Sequence, residues 1–282
     1  MKKLLFSIVF IPLFLFGEVS KEKYQIKLDR PIKKGESYLF TASFKEEVTT
    51  KAFLHGTALL DEVDIKNYNI SGKVKVIGIV PKKLELTIIS FNHFISGKEE
   101  EVLPKNSIVT IVHDHEVTKY KLKGGQLTER VIKYLEEFFT LDEELKDDQK
   151  LGSKSLKKIG ESWPIKQEYI KDVIDSVDQK PEAFMKLRDK RVISGVECLN
   201  IVGTIKSKGV SIPLPPESSI KAGTAEVSFG ADYPVDINLP KLSEFFKLKI
   251  SISANVPTEK GDAAFTFTLL SSSSFNRSLK KN

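Results

Sequence analysis

Apolar and polar residues alternate with period two along most of the chain, which predicts half-buried strands and a mainly β (β-rich α+β) fold. Tyr24, Ile26 and Leu28 alternate with Gln25, Lys27 and Asp29. After Lys33-Lys34-Gly35, the residues Tyr38, Phe40, Ala42 and Phe44 share one face, and Thr41, Ser43, Lys45 and Glu47 share the other. Residues 73–80 and 84–91 are rich in β-branched side chains about Pro81-Lys82-Lys83, which predicts a hairpin. Residues 108–112 and 117–122 predict another, with 113–116 at its turn. The clearest pair comes late: Leu248, Ile250, Ile252, Ala254 and Val256, then Phe265, Phe267 and Leu269, alternate with polar residues on either side of a turn-rich stretch. One wet and one buried face is the signature of antiparallel strands. Residues 224–231 follow the same pattern, with Ala225, Val227 and Phe229 inward.

Helical spacing is confined to two places. Thr128 suits the N-cap of a helix over 129–139, whose apolar face carries Val131, Leu135, Phe138 and Phe139. A second helix is expected over 165–176, with Pro164 at its first position. Residues 142–153, acidic then basic, read as a linker. Ile212-Pro213-Leu214-Pro215-Pro216 is too rich in proline for a central strand, and the serine-rich end from Ser271 is expected to fray. The organisation expected is thus an N-terminal β domain over 18–141, the linker over 142–153, a C-terminal β domain over 154–272 and a frayed tail over 273–282. Antiparallel sheets in two tandem halves would each carry one short covering helix.

The start of the chain has a different pattern. Lys2 and Lys3 precede an apolar run from Leu4 to Phe16, interrupted only by Ser7 and Pro12. Thirteen residues fit the apolar region of a secretory signal peptide, whereas a spanning helix needs roughly 20. Cleavage is expected after Gly17, with Ser20 as second choice, and no Cys is placed there for a lipid anchor. The expected mature protein is exported to the periplasm or medium, soluble, and without an integral membrane span.

Composition narrows the picture further. About 265 residues remain after cleavage, enough to bury a core without staples. Cys198 is the one cysteine, so an internal disulfide is excluded. Alternation puts it on a face with Val196 and Val202, where a small buried hydrophobe is the expected role. The formal charge of +6 comes from basic residues scattered among nearly as many acidic ones. That distribution argues against a nucleic-acid partner, which would want a basic stripe.

Two segments match each other. Lys33-Lys34-Gly35-Glu36-Ser37-Tyr38 recurs as Lys157-Lys158-Ile159-Gly160-Glu161-Ser162-Trp163, with one residue inserted. If this is a repeat, Tyr38 and Trp163 should occupy equivalent packing positions. Together with Gly124-Gly125-Gln126-Leu127-Thr128 leading into the first helix, these motifs give the chain a pattern that resembles exported bacterial β-rich proteins of unknown function. Those proteins share a Lys-Gly-Glu-aromatic first strand and a Gly-Glu-Ser-Trp segment. The resemblance implies export and a β-rich fold, and it brings no activity and no catalytic residues.

Candidate chemistry is sparse. His113-Asp114-His115 places two imidazoles at alternate positions, but two ligands do not make a metal site, and at a hairpin turn all three would be solvated. Ser155 with Lys158, and Ser218 with Lys221, have the serine and lysine spacing of some acyl-enzyme hydrolases, yet neither is joined by companion motifs. Asp147 and Asp148 fall in the expected linker, where nothing would desolvate them. No catalytic, cofactor-binding or metal-binding set is therefore assigned, and no cofactor. Three readings follow. The preferred one is an exported non-catalytic binding protein of the cell envelope holding an apolar ligand such as lipid, motivated by the inward surplus of Phe40, Phe44, Phe138, Phe139, Phe229, Phe265 and Phe267. The second is a structural or assembly protein that binds another envelope protein through sheet edges. The third is an unrecognised hydrolase.

Overall fold

Alternating segments joined by tight turns pair with their sequence neighbours, and here they do so across a single twelve-stranded antiparallel sheet. The structure is a computed structural model that describes residues 22–95, 97–114, 117–139, 147–173 and 181–279. The expected signal peptide, residues 1–17, lies outside the described residues. The first half contributes β1 (Ser37–Leu54), β2 (Thr57–Ile79), β3 (Lys82–Ile95), β4 (Lys98–Glu101), β5 (Ile108–Asp114) and β6 (Val117–Leu122), followed by helix α1 (Glu129–Glu136). The second half contributes α2 (Asp147–Lys150), β7 (Ser162–Pro164), α3 (Gln167–Val173), β8 (Glu182–Ile193), β9 (Val196–Lys208), β10 (Ser219–Pro234), β11 (Ser243–Thr258) and β12 (Gly261–Leu279). The strand order is β6-β5-β3-β2-β1-β12-β11-β10-β9-β8-β7, with β4 added beside β3.

The expected hairpins of β2 with β3, β5 with β6, and β11 with β12 all form. Their buried positions follow the period-two pattern: Tyr38, Phe40, Ala42 and Phe44 on β1 are all buried, as are Ala225 and Val227 on β10. What the pattern does not contain is the joint between the halves. β1 pairs with β12 from Tyr38 opposite Leu279 to Phe53 opposite Ala264, so two expected sheets are one. The tail expected to fray from Ser271 is instead the end of β12, held between β1 and β11. Backbone pairing on both sides outweighs the weak strand preference of serine, and the Ser43 and Ser274 hydroxyls bond across the joint at 2.8 Å.

Each half has its own core on the same covered face of the sheet. In the first, Leu135 of α1 and the following Phe139 pack on Phe40, Ile70, Val74, Leu86, Ile88 and Ile111. Thr128 caps α1 as expected, accepting the Val131 amide at 3.3 Å. In the second, Trp163, Ile165, Ile170 and Leu151 cover Met185, Leu187, Ile201, Ile205 and Val227. The helix expected over 165–176 is shorter: Pro164 belongs to β7, and Ile165 is a core residue before α3 begins. Residues beyond Val173 to the expected helix end lie outside the described residues.

The segment from Tyr24 to Leu28 alternates as expected but is not a strand. Apart from a bridge between Tyr24 and Lys157, it is extended chain lying in the core of the other half, with Tyr24, Ile26 and Leu28 all buried there. Its backbone is secured by the supposed linker. The Leu28 amide donates to the Asp148 carboxylate at 2.5 Å, the Asp147 amide donates to the Asp29 carboxylate at 3.0 Å, and Lys27 pairs with Asp148 at 2.7 Å. Residues 147–153 are therefore a docking element, with Leu151 buried; residues 142–146 lie outside the described residues. One sheet thus runs across the expected division at 142–153, and the first residues described complete the second core.

The sequence match at Tyr38 and Trp163 is also a structural match. Gly35 and Gly160 adopt the left-handed backbone at φ 88° and 89°, as the third position of such a turn requires and glycine tolerates. In each turn the glutamate amide bonds back three residues at 3.1 Å, to Lys33 or Lys158. Each glutamate side chain then accepts the amide of that same lysine. Gly35 and Glu36 exchange bonds with Val76 as Gly160 and Glu161 do with Leu187. Tyr38 then lies opposite Val74, and Trp163 opposite Met185. The two aromatic residues sit at equivalent places in their cores.

Candidate ligand-binding cleft

The covering elements of the two halves leave a gap between them, above the middle of the sheet. Alternation aims Phe229 of β10, Phe246 of β11 and Ser273 and Phe275 of β12 into this gap, and α1 supplies Phe138 just past its end. The result is a cleft of about 380 Å³ that also includes Tyr169, Ala231 and Tyr233. Small residues lower the floor. Gly203 lies opposite Phe229, and a Cβ there would sit 2.3 Å from the ring, so the glycine lets Phe229 lie flat across the sheet.

Polar groups gather at one side. Asp147 borders the cleft, and burial pushes its carboxyl above the usual carboxylate range, opposed by Lys241. Lys241 and Glu244 form an ion pair. The Tyr233 hydroxyl is raised mainly by burial, with Asp147 and Glu244 adding to it. A smaller cavity of about 190 Å³ continues from the same side, sharing Phe138, Asp147, Lys241, Glu244 and Phe275, and adding Arg30, Tyr38 and Arg277. Arg30 donates to the carbonyls of Pro234 at 2.9 Å and Asp236 at 3.2 Å. Arg277 donates to the Tyr38 hydroxyl at 3.3 Å and stacks on its ring, 4.0 Å from the centroid.

Of the residues singled out from sequence chemistry, Asp147 borders the cleft and the others lie elsewhere. His113 is within β5 and buried, not solvated at a turn, because β5 runs two residues further than its apolar run; its Nδ1 is 3.2 Å from the Thr118 hydroxyl. His115 lies outside the described residues, as does the tip of that hairpin. Among the described residues, no three His, Cys, Asp or Glu side chains are grouped as a metal site needs. Ser155 is exposed and bonded to Ser153, and Ser218 precedes β10; neither lines the cleft. Cys198 is fully buried, and burial pushes its thiol up to about 11. Asp147 and Asp148 are not solvated but docked.

Two other polar clusters are held by their neighbours, with the His93 Nε2 and the Asn200 Oδ1 left buried without a partner. Asp232 is 1% exposed and accepts from Arg191 at 2.7 and 2.6 Å and from Asn200 at 3.0 Å, tying β8, β9 and β10 together. His93 is buried beside Tyr68 and Tyr134, with Nδ1 3.2 Å from the Arg130 guanidinium. Arginine only donates, so Nδ1 accepts and the ring is neutral. Burial lowers the His93 pKa below 6.5, Arg130 lowers it further, and Glu100 opposes both. The unfolded chain then binds the extra proton first as the pH falls, so this contribution is complete above about pH 6.5 and is lost on going lower. His93→Phe is expected to keep its urea midpoint between pH 7.5 and 5.5 better than the unaltered protein; equal losses in both would refute the assignment.

The residues of the cleft come from eight separated stretches, which is why motif reading missed them. One signal was present. Arg30 continues the inward series of Tyr24, Ile26 and Leu28, and a charge at an inward position marks a burial that needs explaining.

No protein-family model matches the sequence, and no curated protein matches it. Among solved structures, one described as "Lipid-protein interactions in lipovitellin" matches with a TM-score of 0.39 and 8% identity, over 88% of this chain and 25% of that chain. The chain spans a quarter of the length of that protein, and a likeness this loose assigns nothing. No described helix is long and apolar enough to cross a membrane.

Proposed function

We propose that the protein is a non-catalytic carrier or binding protein that holds an apolar ligand, such as a lipid chain, in the cleft between the two cores. The observation that carries this reading is the cleft's lining, with five phenylalanines and two tyrosines around about 380 Å³ of open space. That is within the size range of small-ligand sites, which are mostly apolar with a few convergent polar groups. The reading belongs with export to the cell envelope, as the N-terminal pattern leads one to expect.

Organic extraction of the purified full chain, or native mass spectrometry, is expected to recover a bound apolar molecule. The neutral probe N-phenyl-1-naphthylamine should bind with enhanced fluorescence, and Ser273→Phe, which places a ring in the cleft, should weaken it about tenfold, or about 1.4 kcal/mol. Undiminished binding by a folded Ser273→Phe variant would place the probe elsewhere and remove the support.

An assembly role has one observation in its favour. The pairing of β2 with β3 starts at Tyr68, so among the described strands residues 57–67 pair only with β1. Leu59, Val63 and Ile65 are exposed along this edge, the kind of edge on which another chain can add a strand.

A further inference from the structure

We propose that the ligand of this cleft is a single-chain amphiphile with an anionic oxyacid head, a carboxylate or a phosphate, seated on Arg30 and Arg277. This rests on the carrier reading and specifies its ligand.

Arg30 is only 9% exposed, and its hydrogen bonds go to two backbone carbonyls; its Nε is buried with no partner. The Nε of Arg277 is also buried with no partner, and its guanidinium donates to the Tyr38 hydroxyl. No carboxylate is within ion-pair distance of either guanidinium among the described residues. Carbonyls and ring faces satisfy direction without supplying charge, and Asp148 and Asp236 favour the Arg30 cation only from beyond contact, so burial of this guanidinium is offset in part and a contacting anion would stabilise it. The two side chains line the same small cavity. A guanidinium is the side chain best matched to the paired oxygens of a carboxylate or phosphate.

The surroundings suit an amphiphile rather than a free ion. Leu28, Ile32, Val76, Leu84 and Phe139 form the apolar part of the wall around the arginines, Glu36, Lys82, Asp147, Lys241 and Glu244 the charged part, and the cavity shares Phe138 and Phe275 with the aromatic cleft. Of the acidic groups at the junction, Glu244 is neutralised by Lys241. Glu36 is engaged by the Lys33 amide, and Asp147, whose carboxyl burial pushes above the usual range, faces Lys241, so Arg30, Arg277, Lys82 and Lys241 outnumber the three carboxylates of the lining. A head on the arginines and a chain toward Phe229 and Phe246 would place each part of the molecule against its own kind of surface.

The test is displacement of N-phenyl-1-naphthylamine from the full chain by lauric acid, lauryl phosphate, lauryl alcohol and laurylamine, each below its micellar concentration. One of the two acids is expected to act at roughly ten- to a hundredfold lower concentration than the alcohol, as charge-assisted hydrogen bonds allow, and the amine should be weakest. Which acid is stronger identifies the head as carboxylate or phosphate. Arg277→Gln and Arg30→Gln should each bring the acid-to-alcohol ratio close to one. If Arg30→Gln does not fold, the half-buried Arg277 decides the matter alone. Equal displacement by all four compounds overturns the anionic head but leaves the carrier reading in place. Displacement by none overturns both, and an acid preference that survives Arg277→Gln overturns the seat.

Discussion

Removing residues 22–30 is expected to abolish the cooperative folding of the C-terminal half, although the deleted residues come before the N-terminal half in sequence. Tyr24, Ile26 and Leu28 are 7%, 4% and 3% exposed and lie among Trp163, Leu187 and Ile201. Burying one large apolar side chain is worth about 1.5–3 kcal/mol, so the three together approach the whole stability of a typical domain, about 5–15 kcal/mol. The deletion also leaves Asp148 without the Leu28 amide and Lys27. Trp163 is the one tryptophan of the chain, and its emission therefore reports on this core directly. The shortened chain should show a solvent-exposed tryptophan spectrum at temperatures where the full chain does not. A native spectrum with an unchanged melting temperature would show that the N-terminal segment merely lies on the surface of the core.

The second large effect is expected at Trp163 itself. It is 6% exposed, and its indole donates to the Leu151 carbonyl at 2.7 Å, which fixes α2 and the chain after it against β7. Trp163→Ala removes a large buried ring and leaves that carbonyl without its donor, at a cost of about 3–5 kcal/mol. Trp163→Phe keeps most of the volume and loses the hydrogen bond, at about 1–2 kcal/mol. Urea denaturation followed by circular dichroism separates the two, because a change in stability moves the midpoint while leaving the slope alone. Equal midpoints for the two variants would mean that the ring volume contributes little there.

Local features of the fold were legible because they depend on neighbours in sequence. The Thr128 cap, the hairpin turns and the inward faces of β1, β10 and β11 all follow from spacing over a few residues. The equivalence of Tyr38 and Trp163 was legible for the same reason: a left-handed glycine followed by glutamate makes the same turn wherever it occurs. What alternation could not supply was the partner of each pattern. Tyr24, Ile26 and Leu28 announce a buried face without saying in which core. Ser271 to Ser274 look like a mobile end because their own side chains bury little; the strands on either side hold them. The cleft was hidden for a further reason. Phe138, Phe229, Phe246 and Phe275 look like ordinary core residues in sequence, and whether such rings fill a core or line a gap depends on what lies above them.

The joint between β1 and β12 has a consequence for how the protein is made. Ser43 and Ser274 bond across 231 residues of sequence, and the pairing there runs the length of both strands. Such distant contacts are slow to form, because the loop must be closed before any of them contributes. Until β12 has been synthesised, β1 has β2 on one side and an unsatisfied row of amides and carbonyls on the other, which is an invitation to pair with the wrong chain. A chaperone that masks an open strand edge would therefore be needed most on nascent β1, and rapid refolding from denaturant should become less efficient as protein concentration rises.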